Sequence, residues 1–340
     1  MRKAHRLGLS LGYSPDLTVR DMTGWVKEAE FRGFEMAFFS ETVLTMRDAI
    51  TALSAFALAT RTIKLGCTQI LRTRTPLVLA QTFTSLNELS DGRVTLCLGA
   101  FTESHARKHG LPLEDPAKVL REHTQLIRQY WQAKTVDFQG ETIKVKGEGL
   151  SILPASKIPI LIAATSRTGL RIAVEVGDGI VINATTSPGY AENAIRIVKE
   201  AAGATGKSLD DFLISGLIVS AVDDGSKGPE NALRWELASK FGPLQVNFAV
   251  RPRLRVGEEV VTESLIQKLA ESYRVGGKEQ LARDIPMDVI KSLTVFGNSR
   301  EVRDRVEEYR RAGVDLPIVR PAGANLMKPV MDAISGPVAS

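Results

Sequence analysis

Two phrases decide the fold: Thr60-Arg-Thr-Ile-Lys-Leu-Gly-Cys-Thr-Gln-Ile-Leu-Arg-Thr-Arg-Thr-Pro76 and, one helix later, Ser85-Leu-Asn-Glu-Leu-Ser-Asp-Gly-Arg-Val-Thr-Leu-Cys-Leu-Gly99. Between Ile63 and Ile70 the chain is apolar and strand-like. A polar, basic loop with Arg72 and Arg74 follows. Thr75 can then cap a helix that opens with Pro76 and sets Leu79, Phe83 and Leu86 on one stripe. The turn Ser90-Asp91-Gly92 ends it, and Val94–Leu98 reads as a second buried strand. This is one strand–helix repeat of a parallel α/β protein, with its polar chemistry at the C-terminal end of the strand.

The repeat extends in both directions. Strand-like runs occupy Leu7–Tyr13, Met36–Phe39, Ile63–Ile70, Val94–Leu98, Ile158–Ala163, Gly179–Ile182, Phe212–Val219 and Leu316–Val319. Several are apolar throughout, as strands covered on both faces are. Val19–Gly33 reads as a helix with Met22, Val26 and Ala29 inward and Gly33 as its C-terminal stop. Asn298 and Glu301 have capping-box spacing before Val302 and Val306. Eight strands with helices between them predict a (β/α)8 TIM barrel. An open doubly wound sheet is the alternative, but no Gly-x-Gly-x-x-Gly follows the first strand. We expect one domain, 1–340, with insertions at about 136–150, a hairpin turning at Gln139-Gly140, and at 226–287, long, helical and charged.

The composition is that of a globular chain, with 44% hydrophobic and 24% charged residues, and no run is long enough to span a membrane. No signal peptide is recognisable, so the expected location is the cytoplasm. Cys67 and Cys97, the two cysteines, sit in apolar strands and read as buried free thiols. The net charge of +5 is spread along helices rather than gathered in a tract, which suits an anionic cofactor and not a nucleic-acid partner.

In such barrels the chemistry lies at the C-terminal strand ends. Those ends supply Glu41 and Thr42, Thr68 and Gln69, Gly99, Ala164 to Arg167, and Asn183. Thr165-Ser166-Arg167-Thr168 opens a helix, where free N–H groups, hydroxyls and a guanidinium suit a phosphate. Asn183 is one strand over. Glu41 reads either as a functional acid or as the partner of a buried arginine, Arg72 or Arg74. His105 and His109, beside Glu103, lie in a polar loop with no further ligand, so no metal site is expected. A Gly-x-Ser-x-Gly elbow is absent. With no hard chemistry of its own, the chain is expected to borrow an organic cofactor.

These strand ends resemble the bacterial luciferase-like family. The matching phrases are Glu28-Ala29-Glu30, Gly33-Phe34, Thr60 to Gly66, Arg74-Thr75-Pro76, Leu89 to Arg93, Leu98-Gly99, Pro159-Ile160, Ala163-Ala164, Gly177-Asp178-Gly179 and Arg311 to Asp315. The run Asp178 to Ala184 is most similar to the methylenetetrahydromethanopterin reductase branch, whose members use the deazaflavin coenzyme F-420. The resemblance implies a deazaflavin-dependent oxidoreductase that passes a hydride to or from a small organic substrate. It implies a non-proline cis peptide around Cys67-Thr68-Gln69 behind the ring, an acid and its neighbour at Glu41 and Thr42, phosphate-binding backbone at Ala164 to Arg167, and a homodimer or homotetramer. Thr42 stands where many members have His, and threonine does not titrate near neutrality. An FMN-dependent monooxygenase on the same scaffold is the alternative, and a non-catalytic flavin-binding homologue is a third reading.

Overall fold

The structure, a computed structural model, describes residues 6–11, 16–41, 47–100, 103–241 and 260–335; the side chains of residues 103–105 are outside that description. In chain order the strands are β1 (Gly8–Leu11), β2 (Met36–Ser40), β3 (Lys64–Ile70), β4 (Val94–Gly99), β5 (Val136–Gln139), β6 (Lys144–Glu148), β7 (Ile160–Ala163), β8 (Gly179–Ile182), β9 (Leu213–Val222), β10 (Val295–Gly297) and β11 (Leu316–Pro321). The helices used below are α1 (Val19–Phe31), α2 (Ala49–Ala59), α3 (Pro76–Leu89), α4 (Glu103–Lys108), α5 (Pro116–Gln132), α6 (Arg167–Val176), α7 (Pro188–Thr205), α8 (Lys227–Phe241) and α9 (Glu263–Asp284). This succession is that of a (β/α)8 TIM barrel, and each strand read from the sequence is present.

The Cα positions group into two compact units. One, residues 17–181 and 198–213, carries β2, β3, β4, β7 and β8 side by side, all parallel. It also holds the antiparallel pair β5 and β6, which is the hairpin expected near Gln139. The other, residues 1–16, 182–197 and 214–340, carries β10, β9, β11 and β1 in that order, again parallel. The three-residue β10 escaped the sequence reading because it is too short to show a period. The described residues of 226–287 include α8 and α9, and Gly277, at φ +64°, breaks α9 where Gly276-Gly277 punctuates the sequence. Among the described residues no helix is long and apolar enough to cross a membrane.

Local chemistry fixes the helix starts. Thr18 caps α1 in a capping box with Asp21, Asp48 caps α2 by accepting from Thr51 N at 2.8 Å, and Thr75 caps α3 ahead of Pro76. The strand starts are tied by side chains. Arg93 donates from Nε to Ser90 O (2.7 Å), from Nη1 to Thr60 Oγ1 and Ile63 O (3.0 and 2.9 Å), and from Nη2 to Ala57 O and Thr60 O (3.0 and 3.1 Å). One guanidinium thus joins the end of α2, the start of β3 and the start of β4. Glu30 does the same with a carboxylate: Oε1 accepts from the N–H groups of Arg61, Thr62 and Ile63 at 2.8, 2.6 and 3.0 Å. Burial pushes the Glu30 pKa up, but those backbone hydrogen bonds outweigh it and hold the carboxyl at about 2. Asp178 repeats the device one turn of the fold later, accepting from Ile160 N at 2.9 Å and pairing with Arg128 and Lys157 at 2.7 and 3.0 Å.

Replacing Arg93 by Ala leaves several carbonyls without a donor and is expected to cost about 3 kcal/mol in urea unfolding, with Lys recovering only part of it. A loss below about 1 kcal/mol would contradict this account. Glu30 has a depressed folded-state pKa, so its contribution is complete above pH 4.5 and disappears as pH falls toward 2. The stability difference between wild type and Glu30→Gln is therefore expected to shrink across that window.

Candidate active site

Four neighbouring strands end together in the first unit. Their registers put Ser40 beside Thr68, Thr68 beside Cys97, Ile70 beside Gly99 and Leu98 beside Ile162. Partners in a parallel register point the same way and alternate along each strand. Thr68, Gly99 and Ala163 therefore share one face. A Cβ placed on Gly99 would lie 3.6 Å from Thr68 Cγ2 and 3.9 Å from Ala163 Cβ, an ordinary contact. Packing within the chain does not demand a glycine there.

Gln69 points the other way. It is fully buried, its Nε2 donates toward Cys67 Sγ at 3.5 Å and Thr68 O at 3.2 Å, and its amide neighbours Glu41. The structure thus separates the side chains of Thr68 and Gln69, which the sequence grouped. Every peptide bond among the described residues is trans, which corrects the cis bond expected around Cys67-Thr68-Gln69. The physical reason is visible in the ladder: β3 keeps unbroken parallel register with β4 through Gln69 and with β2 through Thr68.

Glu41 is nearly buried, with 6% of its side chain exposed. Its Oε1 is 3.3 Å from Arg74 Nη2, which also binds Asp48 Oδ2. Glu41, Arg47, Asp48, Thr73, Arg74, Thr75 and Val78 line a cleft of about 530 Å³. Of the two arginines considered as partners, Arg74 is the one used. Arg72 turns away and donates to the carbonyls of Pro112 and Glu114. Burial pushes the Glu41 pKa up, and the charge of Arg74 recovers only part of that, so the net displacement is upward. Asp48 moves the other way: burial opposes it, but Thr51 N, Thr51 Oγ1 and Arg74 hold its carboxyl down. Thr42 lies outside the described residues.

At the end of β7, buried Ala164 leads through Thr165 into α6. Ser166 is the N-cap and its Oγ accepts from Gly169 N at 3.1 Å. Arg167 is half exposed, 3.9 Å from Glu200. Asn183 follows β8 in the other unit, where its Oδ1 accepts from Ala184 N at 2.9 Å. Two residues on, Thr185 has φ +63°, an uncommon and strained conformation for a β-branched side chain. Burial pulls the His123 pKa down to about 4, so this imidazole is neutral at pH 7. Among the described residues no three His, Cys, Asp or Glu side chains gather as a metal would require.

Comparison with known proteins adds the decisive observation. A family model described as luciferase-like monooxygenase matches residues 4–316. The chain belongs to the luciferase-like monooxygenase family. It is 30% identical over 304 residues to the 5,10-methylenetetrahydromethanopterin reductase of Archaeoglobus fulgidus, covering 89% of this chain and 90% of the relative. It is 26% identical over 314 residues to the F-420-dependent glucose-6-phosphate dehydrogenase of Amycolatopsis mediterranei, covering 87% and 86%. The solved coenzyme F-420-dependent tetrahydromethanopterin reductase of Methanopyrus kandleri superposes with a TM-score of 0.82 at 24% identity, covering 96% and 97% of the two chains, and shows the same fold. This luciferase-like protein is an oxidoreductase.

Sequence reasoning missed Asp48 as a member of the cleft. The signal was an Asp directly before the apolar run Ala49–Ala59, the pattern of a helix start. Both thiols of this family member lie inside the strand layer. Burial pushes Cys97 up to about 12 and Cys67 well above the ordinary thiol value. Native protein at pH 8 is accordingly expected to react with well under one equivalent of Ellman's reagent, and unfolded protein with both thiols; rapid native labelling would refute the burial.

Proposed function

We propose that this protein is a coenzyme F-420-dependent oxidoreductase that moves a hydride to or from a small organic substrate. The observation that carries the reading is the ledge at Gly99. A Cβ there would meet Thr68 and Ala163 only at ordinary contact distances, so nothing in the packing of the chain itself demands the glycine. The first turn of α6 lies on the strand adjoining that ledge, with Ser166 as cap and the half-exposed guanidinium of Arg167. Relatives named for coenzyme F-420, the Amycolatopsis mediterranei dehydrogenase among them, support the deazaflavin over FMN.

These residues fit such a group. The backbone and side chain of Thr68, the backbone of Gln69, and Gly99 and Ala164 would hold the ring. Thr165, Ser166 and Arg167 would hold its phosphate. When bound, the deazaflavin supplies two-electron hydride chemistry. The chain's part is to orient the ring and exclude water, and Glu41, whose nearly buried carboxyl lies on the Gln69 side of β3, would hold a proton there. Thr42 offers a hydroxyl for orientation and no titrating group.

A fluorescence titration with coenzyme F-420 and FMN side by side tests this. Selective binding of the deazaflavin is expected. Preference for FMN would make the protein a monooxygenase, and binding of neither would make it non-catalytic. Arg167→Ala should weaken deazaflavin binding about tenfold by removing a charge-assisted contact. Gly99→Val should abolish binding while moving the cofactor-free melting temperature by only a few degrees, about what a surface-level change of 1 kcal/mol produces. Unchanged affinity in both variants would remove the ledge and the α6 N-terminus from the site.

A further inference from the structure

Arg74 is one cation between two carboxylates, and it divides itself unequally. Asp48 Oδ2 sits tightly on Nη2, while Glu41 Oε1 stands off at 3.3 Å. Asp48 Oδ1 also accepts from Thr51 N at 2.8 Å and Thr51 Oγ1 at 2.9 Å. Glu41 Oε2 has no hydrogen-bond partner among the described residues although it is buried, and the same is true of Gln69 Oε1 beside it. These two oxygens lack a donor, and the Gln69 side-chain hydrogen bond that acts to lower the Glu41 pKa is outweighed by burial. A proton on Glu41 supplies the donor and removes an ill-compensated buried charge.

We infer that Asp48 is a positioning residue that biases Glu41 toward its protonated form: by sharing the Arg74 guanidinium, it leaves Glu41 without a full counter-ion. The division is the one that lets two carboxyl groups in a single site take different roles, one ionised and one neutral. The surrounding groups agree with it. From β3, Cys67 faces Glu41 as a neutral thiol. Arg74 and Asp48 face it from the loop after β3 and from the α2 cap, and Arg47 lines the same cleft. Residues 42–46, Thr-Val-Leu-Thr-Met, carry no ionisable side chain. A carboxyl at the end of β2 that holds its proton to higher pH than an ordinary glutamate can serve as an acid, and that use rests on the oxidoreductase reading above; the upward displacement does not.

The test is a pH titration of the ¹³C-labelled glutamate carboxyls of the cofactor-free full chain by NMR, with Glu41 assigned by its loss in Glu41→Gln. Wild-type Glu41 is expected to titrate above the ordinary glutamate value of 4.5. Asp48→Asn retains a good helix cap while removing the charge. It is expected to release Arg74 to Glu41 and lower the midpoint by about one unit or more, a tenfold loss of proton affinity. Asp48→Ser, also a good cap, should do the same, which guards against a fold-specific fault of one variant. In turnover, the proton-dependent limb of kcat/KM should move to lower pH in both variants, whereas loss of a helix cap alone would lower the melting temperature and leave the limb in place. A wild-type midpoint at or below 4.5, or a midpoint that neither variant lowers, overturns the inference. Failure to bind either flavin would overturn the proposed function and leave the carboxyl titration to stand or fall by itself.

Discussion

Arg93 sets the register on which the active end depends. Its five hydrogen bonds lock the starts of β3 and β4 to each other and to the end of α2. Strands are stiff, and a slip of one residue would turn every side chain to the opposite face. With the starts fixed, Thr68 and Gly99 must emerge on a common face at the other end, and Gln69 must emerge on the opposite one. Glu30 performs the same service from α1, by gathering the backbone that leads into β3. Contacts at the N-terminal ends of the strands are therefore what give the C-terminal ends their geometry.

The two ends treat buried charge in opposite ways. At the N-terminal ends, Glu30 and Asp178 are saturated with donors, and their hydrogen bonds overcome burial. At the C-terminal end, Glu41 has one long ion pair and an oxygen with no donor among the described residues, and burial prevails. Satisfied carboxylates stabilise a fold, while an unsatisfied one costs stability and persists where chemistry uses it.

Several functional elements were legible in the residues themselves. Apolar runs of strand length alternating with capped helices predict the barrel, and the capping residues Thr75 and Asn298 fall where the helices begin. The phrases that carry the family resemblance also have local physical explanations: Glu30, Arg93 and Asp178 are the side chains that tie strand starts. The Ser166 cap of α6 was legible for the same reason, since capping is a matter of a few adjacent residues. The cis peptide expected from family resemblance was not found, because the ladder of β3 continues through Thr68 and Gln69.

By itself the sequence determined which segments become strands and helices, which strand ends carry polar groups, and the family to which the chain belongs. These follow from periodicity, capping and local motif, all of which act over a few residues. Only the tertiary structure decided which arginine Glu41 uses, which side of β3 Thr68 and Gln69 face, and that Asp48 shares the guanidinium. The first and last depend on contacts of Arg74 with residues 26 to 33 positions away, and the second on the register of β3 against β4. Burial completes the answer: whether a carboxyl keeps its proton depends on the donors and charges around it, and a chain read residue by residue does not contain that environment.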